Sequence, residues 1–129
     1  MPAPSVISVI DDDASIRVAT NNLLRSRGYI VNTFASAEEF LRSTQLDDSS
    51  CVIADVQMPA MSGLDLLTHV RSLGYKTPFI FITAFPDESV RARAMEAGAI
   101  CFLAKPFAVP NLIRCLEIAL EAGRSEAGM

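Results

Sequence analysis

The chain is short of basic residues, of cysteine and histidine, and of long apolar runs, and each shortage closes off a class of function. Eleven Lys and Arg against fifteen Asp and Glu leave a formal net charge of −4. No basic stripe is visible, which argues against direct nucleic-acid binding by these residues. No apolar stretch approaches the ~20 residues that a membrane span needs. The first residues, Met1-Pro2-Ala3-Pro4-Ser5, lack the basic start and apolar run of a signal peptide. A soluble, cytoplasmic protein is expected. The three cysteines, Cys51, Cys101 and Cys115, are an odd number without CxxC or Cys/His spacing, and each sits among apolar neighbours. They read as reduced core residues. The one histidine, His69, falls on the polar side of its helix, where it builds neither a zinc site nor a triad.

What is present is a globular composition. Of 129 residues, 50% are hydrophobic and 20% charged, enough for one domain with a real core and too few for two. Short runs rich in Val, Ile and Phe recur at Val6–Ile10, Tyr29–Phe34, Cys51–Ala54, Phe79–Thr83 and Ala99–Leu103. They mostly lack polar alternation, as strands covered on both faces should. Between them lie helical stripes: Ile16, Ala19, Leu23 and Leu24; Leu66, Leu67, Val70 and Leu73; Leu112, Ile113, Leu116, Ala119 and Leu120. Ser36 followed by Glu39 predicts a capping box, Gly28, Gly74 and Gly98 predict helix ends, and Pro110 suits a first helical turn. The stretch from about Asp87 to Ala97 offers little apolar surface and predicts the least firmly docked helix. The pattern is (βα)₅: a doubly wound, five-stranded parallel sheet with helices on both faces, a three-layer sandwich. The domain is expected over residues 1–122, with 123–129 as a C-terminal tail or linker stub.

In such a sheet, function gathers beyond the carboxyl ends of the strands. The first run ends in Asp11-Asp12-Asp13, the third in Asp55, the fourth in Thr83-Ala84 and the fifth in Lys105-Pro106. With the strand order 2-1-3-4-5, Asp11, Asp12 and Asp55 face one another across the topological switch point. Converging carboxylates repel, and one takes up a proton unless a cation intervenes. Hard oxygens without His or Cys select Mg²⁺ or Mn²⁺. A carboxylate nucleophile (Asp55), a divalent ion, a lysine (Lys105) and a hydroxyl (Thr83) together suit phosphoryl transfer.

Taken in order, Val9-Ile10-Asp11-Asp12-Asp13, Ala54-Asp55-Val56-Gln57-Met58-Pro59-Ala60-Met61-Ser62-Gly63, Ile82-Thr83-Ala84 and Cys101-Phe102-Leu103-Ala104-Lys105-Pro106-Phe107 resemble the receiver domain of two-component response regulators, FixJ-like subgroup, from about Val6 to Ala122. The resemblance implies a flavodoxin-like sandwich and a phosphorelay function. It implies Asp55 as phosphoacceptor and a Mg²⁺ held by Asp55, by Asp12 directly, by Asp11 mainly through water and by the backbone carbonyl of Gln57. It implies Lys105 on the phosphoryl oxygens, a cis Lys105–Pro106 bond, and Thr83 and Phe102 as the switch pair. Phe102 carries no hydroxyl, so the switch must work through packing. Phe85 lies where family members tune the access of hydrolytic water, and its apolar ring predicts slow loss of phosphate. The implied partners are a sensor histidine kinase, a second copy docking through the fourth helix, fifth strand and last helix once phosphorylated, and a covalently linked DNA-binding output domain outside this chain. The implied role is a signalling switch that catalyses its own phosphorylation and dephosphorylation and is not a turnover enzyme.

Other readings compete. Asp11-x-Asp13 with a later Thr and Lys also looks like the haloacid-dehalogenase phosphatases, with Asp11 as nucleophile, though Asp55 would then have no task. A flavodoxin-like nucleotide binder suits the fold, but three carboxylates repel a phosphate. Asp13 and Ser15 read as a helix cap, Asp47 and Asp48 as a polar loop, and Met58, Met61 and Met95 as packing residues.

Overall fold

Five strands form where the short apolar runs lie. In the computed structural model, which describes residues 4–127, they are β1 (Val6–Ile10), β2 (Ile30–Phe34), β3 (Cys51–Asp55), β4 (Phe79–Thr83) and β5 (Cys101–Ala104). All pair in parallel, in the order β2-β1-β3-β4-β5. The helices are α1 (Ala14–Ser26), α2 (Ala37–Arg42), α3 (Gln45–Asp48), α4 (Gly63–Ser72), α5 (Glu88–Glu96) and α6 (Val109–Ala127). The extra member is α3, a single turn in the stretch expected to be loop. The last helix runs through Ala127, past the boundary expected at residue 122; Met1–Ala3, Gly128 and Met129 lie outside the described residues.

Every residue of β3 and β4 is buried, and alternation sends neighbours to opposite faces. Val52, Ala54, Phe79 and Phe81 pack with Phe40 of α2, Leu66, Leu67 and Val70 of α4, and Ala94 of α5. Cys51, Ile53, Ile80 and Ile82 pack with Leu24 of α1 and Leu112, Leu116 and Ala119 of α6. Both faces need apolar residues, which is why these strands read as unbroken apolar runs. Helix α5 buries only Ala94, in keeping with its expected weak docking.

The punctuation holds with one adjustment. The Ser36 hydroxyl accepts from the Glu39 amide, but the Glu39 carboxylate takes the Ala35 amide at 3.3 Å, one residue ahead of the position a capping box requires. A complete box, formed by Ser62 and Asp65, opens α4 instead. Gly28, Gly74 and Gly98 follow α1, α4 and α5 with φ of +90°, +92° and +105°.

The cysteines depart from expectation. Cys101 of β5 and Cys115 of α6 are joined as a disulfide with Cα atoms 6.1 Å apart, and are not a pair of reduced core thiols. The segment leaving β5 turns the final helix back along the sheet, so residues 14 apart meet across two elements. Linear spacing carries no trace of that proximity. Cys51 alone is a free thiol, fully buried, and burial pushes it up to about 12. Among the described residues, no helix is long and apolar enough to cross a membrane.

Candidate functional site

Parallel pairing brings the acidic residues together. Ile10 is in register with Ala54, so the next residues, Asp11 and Asp55, leave the sheet side by side. The sequence crosses from one side of β1 to the other at this point, because β2 lies on its far flank. One carboxylate oxygen from each of Asp11, Asp12 and Asp55 lies within 4.8 Å of the other two. Asp11 is fully buried, Asp55 is 6% exposed and Asp12 is open to solvent.

Lys105, which follows β5, reaches across to both buried acids. Its Nζ donates to Asp11 Oδ2 at 2.8 Å and to Asp55 Oδ2 at 3.0 Å. The remaining oxygens are met by backbone: Asp11 Oδ1 accepts from the Asp13 amide and Asp55 Oδ1 from the Gln57 amide, each at 2.9 Å. The Arg17 guanidinium donates to the Asp11 carbonyl at 2.5 Å, tying α1 to the loop that carries the acids. Asp13 accepts from the Ser15 amide and caps α1, so its expected structural role stands. The cleft above these groups measures about 320 Å³, and Asp12, Asp55, Gln57, Phe85 and Lys105 are among its lining residues.

Burial raises the Asp11 carboxyl above its usual range, opposed by the Lys105 hydrogen bond and the Asp13 amide and assisted by the Asp55 charge. For Lys105, burial pulls the other way, but its bonds to Asp11 and Asp55 prevail and hold the ammonium above its ordinary value. Three carboxylates face one ammonium, which leaves anionic character for a further cation. Oxygen donors alone, one per acid, fit a hard divalent ion such as Mg²⁺ or Mn²⁺.

The other expected site residues lie around this centre. Thr83, 1% exposed, ends β4, and its Oγ1 accepts from the Phe85 amide at 3.1 Å. Phe102 is in register with Phe81, two pairs before Thr83 and Ala104. Its half-buried ring lines a second cleft of about 270 Å³ together with Asp87, Glu88 and Arg91 at the start of α5. The Lys105–Pro106 bond is cis. His69 is exposed, Met58 and Met61 pack against the core, and Met95 is exposed rather than packed.

Two backbone features of the site were not anticipated. Gly63 approaches the end of β3 so closely that a Cβ there would lie 2.5 Å from the Asp55 carbonyl oxygen and 2.9 Å from the Phe81 ring. Ala60, in the loop after Asp55, has φ +67°, a left-handed conformation uncommon outside glycine. The signal for Gly63 was its place between a capping serine and an apolar helix; nothing in an alanine announces the other.

The comparisons agree on one family. Residues 7–117 match the family model described as response regulator receiver domain. Nodulation protein W of Bradyrhizobium diazoefficiens is 42% identical over 120 residues, which cover 93% of this chain and 53% of that protein. The solved structure of the response regulator StyR superposes with a TM-score of 0.90 at 38% identity, covering 98% of this chain and 64% of that one. The solved FixJ-N structure superposes with a TM-score of 0.83 at 32% identity, covering 94% and 96%. The chain spans about half the length of the first relatives it matches, 53% and 52%.

Proposed function

Because the chain belongs to the response regulator receiver domain family, we propose that Asp55 is its phosphoacceptor and that Asp11, Asp12, Gln57, Lys105 and Thr83 serve the transfer. As a two-component receiver, its task is to take a phosphoryl group and change shape. This family assignment displaces the haloacid-dehalogenase alternative, in which Asp11 would be the nucleophile.

The observation that carries the residue assignment is the pair of hydrogen bonds that Lys105 donates to Asp11 and Asp55 at the switch point. A carboxylate oxygen of Asp55 attacks phosphorus; the O–P bond forms as the P–N bond of a kinase phosphohistidine breaks, and the imidazole departs with that electron pair. Lys105, already poised between the two acids, holds the phosphoryl oxygens. Asp11, Asp12, Asp55 and the Gln57 carbonyl would hold Mg²⁺ or Mn²⁺, which when bound neutralises the charge of the incoming group.

The acyl phosphate adds a charge of about −1.5 to −2. The Thr83 hydroxyl, which at rest accepts from the Phe85 amide, turns to donate to that charge. Phe102 then repacks in the cleft beside α5, and the face made by α5, β5 and α6 changes its preference for partners. This is a population shift between two packings, one of which the phosphoryl group stabilises. The phosphoryl group is the signal and not a released product, so the chain acts as a switch rather than a turnover enzyme. Its partners are a sensor histidine kinase, a second phosphorylated copy docked through the α5-β5-α6 face, and a DNA-binding output domain joined beyond residues 1–122, all in the cytoplasm.

Intact-mass spectra after incubation with acetyl phosphate and Mg²⁺ test the assignment. Wild type gains one phosphoryl adduct and Asp55→Asn gains none; an equal adduct on both removes Asp55 from its role.

A further inference from the structure

The disulfide partners lie outside the acidic site, with Cys101 packed on the α6 side of the sheet and Phe102 on the other. Cys101 opens β5, the edge strand of the sheet, and is only half-buried; Cys115 sits in α6 among the residues packed between that helix and the sheet. Their Cα atoms are 6.1 Å apart, within the range a disulfide spans without backbone movement. The third cysteine offers no such site, since Cys51 is fully buried and holds its proton tightly.

We propose that Cys101 and Cys115 are a reversible thiol–disulfide site, closed by exchange with a low-molecular-weight disulfide, and that closure clamps the edge strand β5 to α6. Cys101 is the entry point because it is the more exposed of the two. Its thiolate attacks one sulfur of the small disulfide, forming a mixed disulfide and releasing one thiolate. The Cys115 thiolate then attacks Cys101 Sγ, forming the internal bond and releasing the second small thiolate. The two cysteine protons end on the two departing thiols; the cysteines lose two electrons and the small disulfide gains them. Reduction runs the same path backwards.

The clamp closes a loop with a sequence separation of 14 that contains Phe102 and Lys105. It therefore restrains the strand that carries Phe102, a consequence for the switch that rests on the receiver reading, whereas the thiol chemistry does not. In an intracellular protein, disulfides of this kind are usually transient and responsive to redox state, not permanent staples.

The test equilibrates purified protein across a series of oxidised to reduced glutathione ratios, quenches with an alkylating agent under denaturing conditions, and counts blocked thiols by mass. Wild type passes from three alkylated thiols to one as the series becomes oxidising, and its Tm rises by roughly 5–10 °C over the same range. Cys101→Ser keeps two alkylated thiols at every ratio, Cys115→Ala stops at the Cys101 mixed disulfide with glutathione, and neither variant forms the internal bond or shows the Tm rise. In wild type, three alkylated thiols at every ratio, a pair that stays closed at the reducing end, or a stable glutathione adduct in place of the internal bond each overturns the proposal. So does a wild-type Tm step that persists in both variants. An acyl-phosphate adduct that fails to form in either redox state bears on Asp55 alone and leaves the thiol count to decide this site.

Discussion

Lys105 and Asp11 are 94 residues apart in sequence, yet their side chains meet at 2.8 Å where Asp11 is fully buried. A buried carboxylate in that position depends on its partner, because removing one member of a buried pair leaves an uncompensated charge. The Lys105 ammonium is raised above its ordinary value of 10.5, so the folded chain holds that proton more tightly than the unfolded chain does. The stabilisation is fully present below about pH 10.5 and is lost as pH rises through the higher folded value. Lys105→Met is expected to destabilise the protein by about 3 kcal/mol at pH 7 in the presence of a chelator, read from urea unfolding. A midpoint equal to that of wild type would show that the pair contributes nothing.

Asp11 titrates with the opposite consequence. Its carboxyl is raised from 3.8 because burial disfavours the ionised form. Below that value both states are protonated and the group is neutral to stability. As pH rises through the folded value, the folded chain must give up a proton it holds more tightly than the unfolded chain does, and stability is lost. Asp11→Asn is therefore expected to be at least as stable as wild type at pH 7 in chelator, with any advantage fading towards pH 4. Added Mg²⁺ should reverse the order, since a ligand at a hundredfold its Kd stabilises by about 2.7 kcal/mol and the variant has lost a donor. Urea midpoints at both pH values, with and without Mg²⁺, check each part; a variant that is weaker at pH 7 in chelator contradicts the stated sign.

Much of this site was legible because it is written at strand ends. Asp55 and Thr83 terminate strands that the apolar runs at Cys51 and Phe79 delimit almost to the residue, and a parallel sheet sends all such ends to one edge. The convergence of Asp11 with Asp55 followed from the strand order alone. What stayed hidden depends on how elements cross in space. The Cys101–Cys115 contact arises from α6 folding back along β5, and the extra turn α3 competes closely with a polar loop of the same composition. Ser62 and Asp65 form the full capping box, while Ser36 and Glu39, with the matching motif, form half of one. There the side-chain reach of Glu39 was decided by the backbone path before the cap, which no residue type records.

Gly63 sets a steric limit on the end of β3, where Asp55 stands. Any Cβ at this position would strike the Asp55 carbonyl oxygen at 2.5 Å and the Phe81 ring at 2.9 Å, and both belong to strands buried on every side. Neither can yield without moving the end of β3. Gly63→Ala is expected to cost about 1–3 kcal/mol, the usual penalty of overpacking a core. It should also slow adduct formation from acetyl phosphate, because Asp55 moves with the strand. Urea unfolding and the rate of mass gain measure the two effects; a variant with unchanged stability and rate would mean that β3 and α4 part at no cost.

Phe85 is held by its backbone and free at its ring. Its amide donates to Thr83 Oγ1 at 3.1 Å, yet the residue is 71% exposed and lines the cleft that contains Asp55 and Lys105. An apolar ring at that rim can shed water from an acyl phosphate but cannot accept a proton from it. A carboxylate there could orient and deprotonate an attacking water, and positioned general bases contribute upwards of a hundredfold. From a flexible rim position a smaller gain is expected, so Phe85→Glu should shorten the acyl-phosphate half-life about tenfold. Because the ring is exposed, stability should stay within about 0.5 kcal/mol of wild type, which separates a kinetic effect from loss of fold. Phe85→Ala distinguishes the two contributions: it removes the ring without adding a base, and a half-life between those of wild type and the glutamate variant assigns part of the protection to the ring itself. Equal lifetimes in all three proteins would show that water reaches the phosphoryl group by a route that Phe85 does not cover.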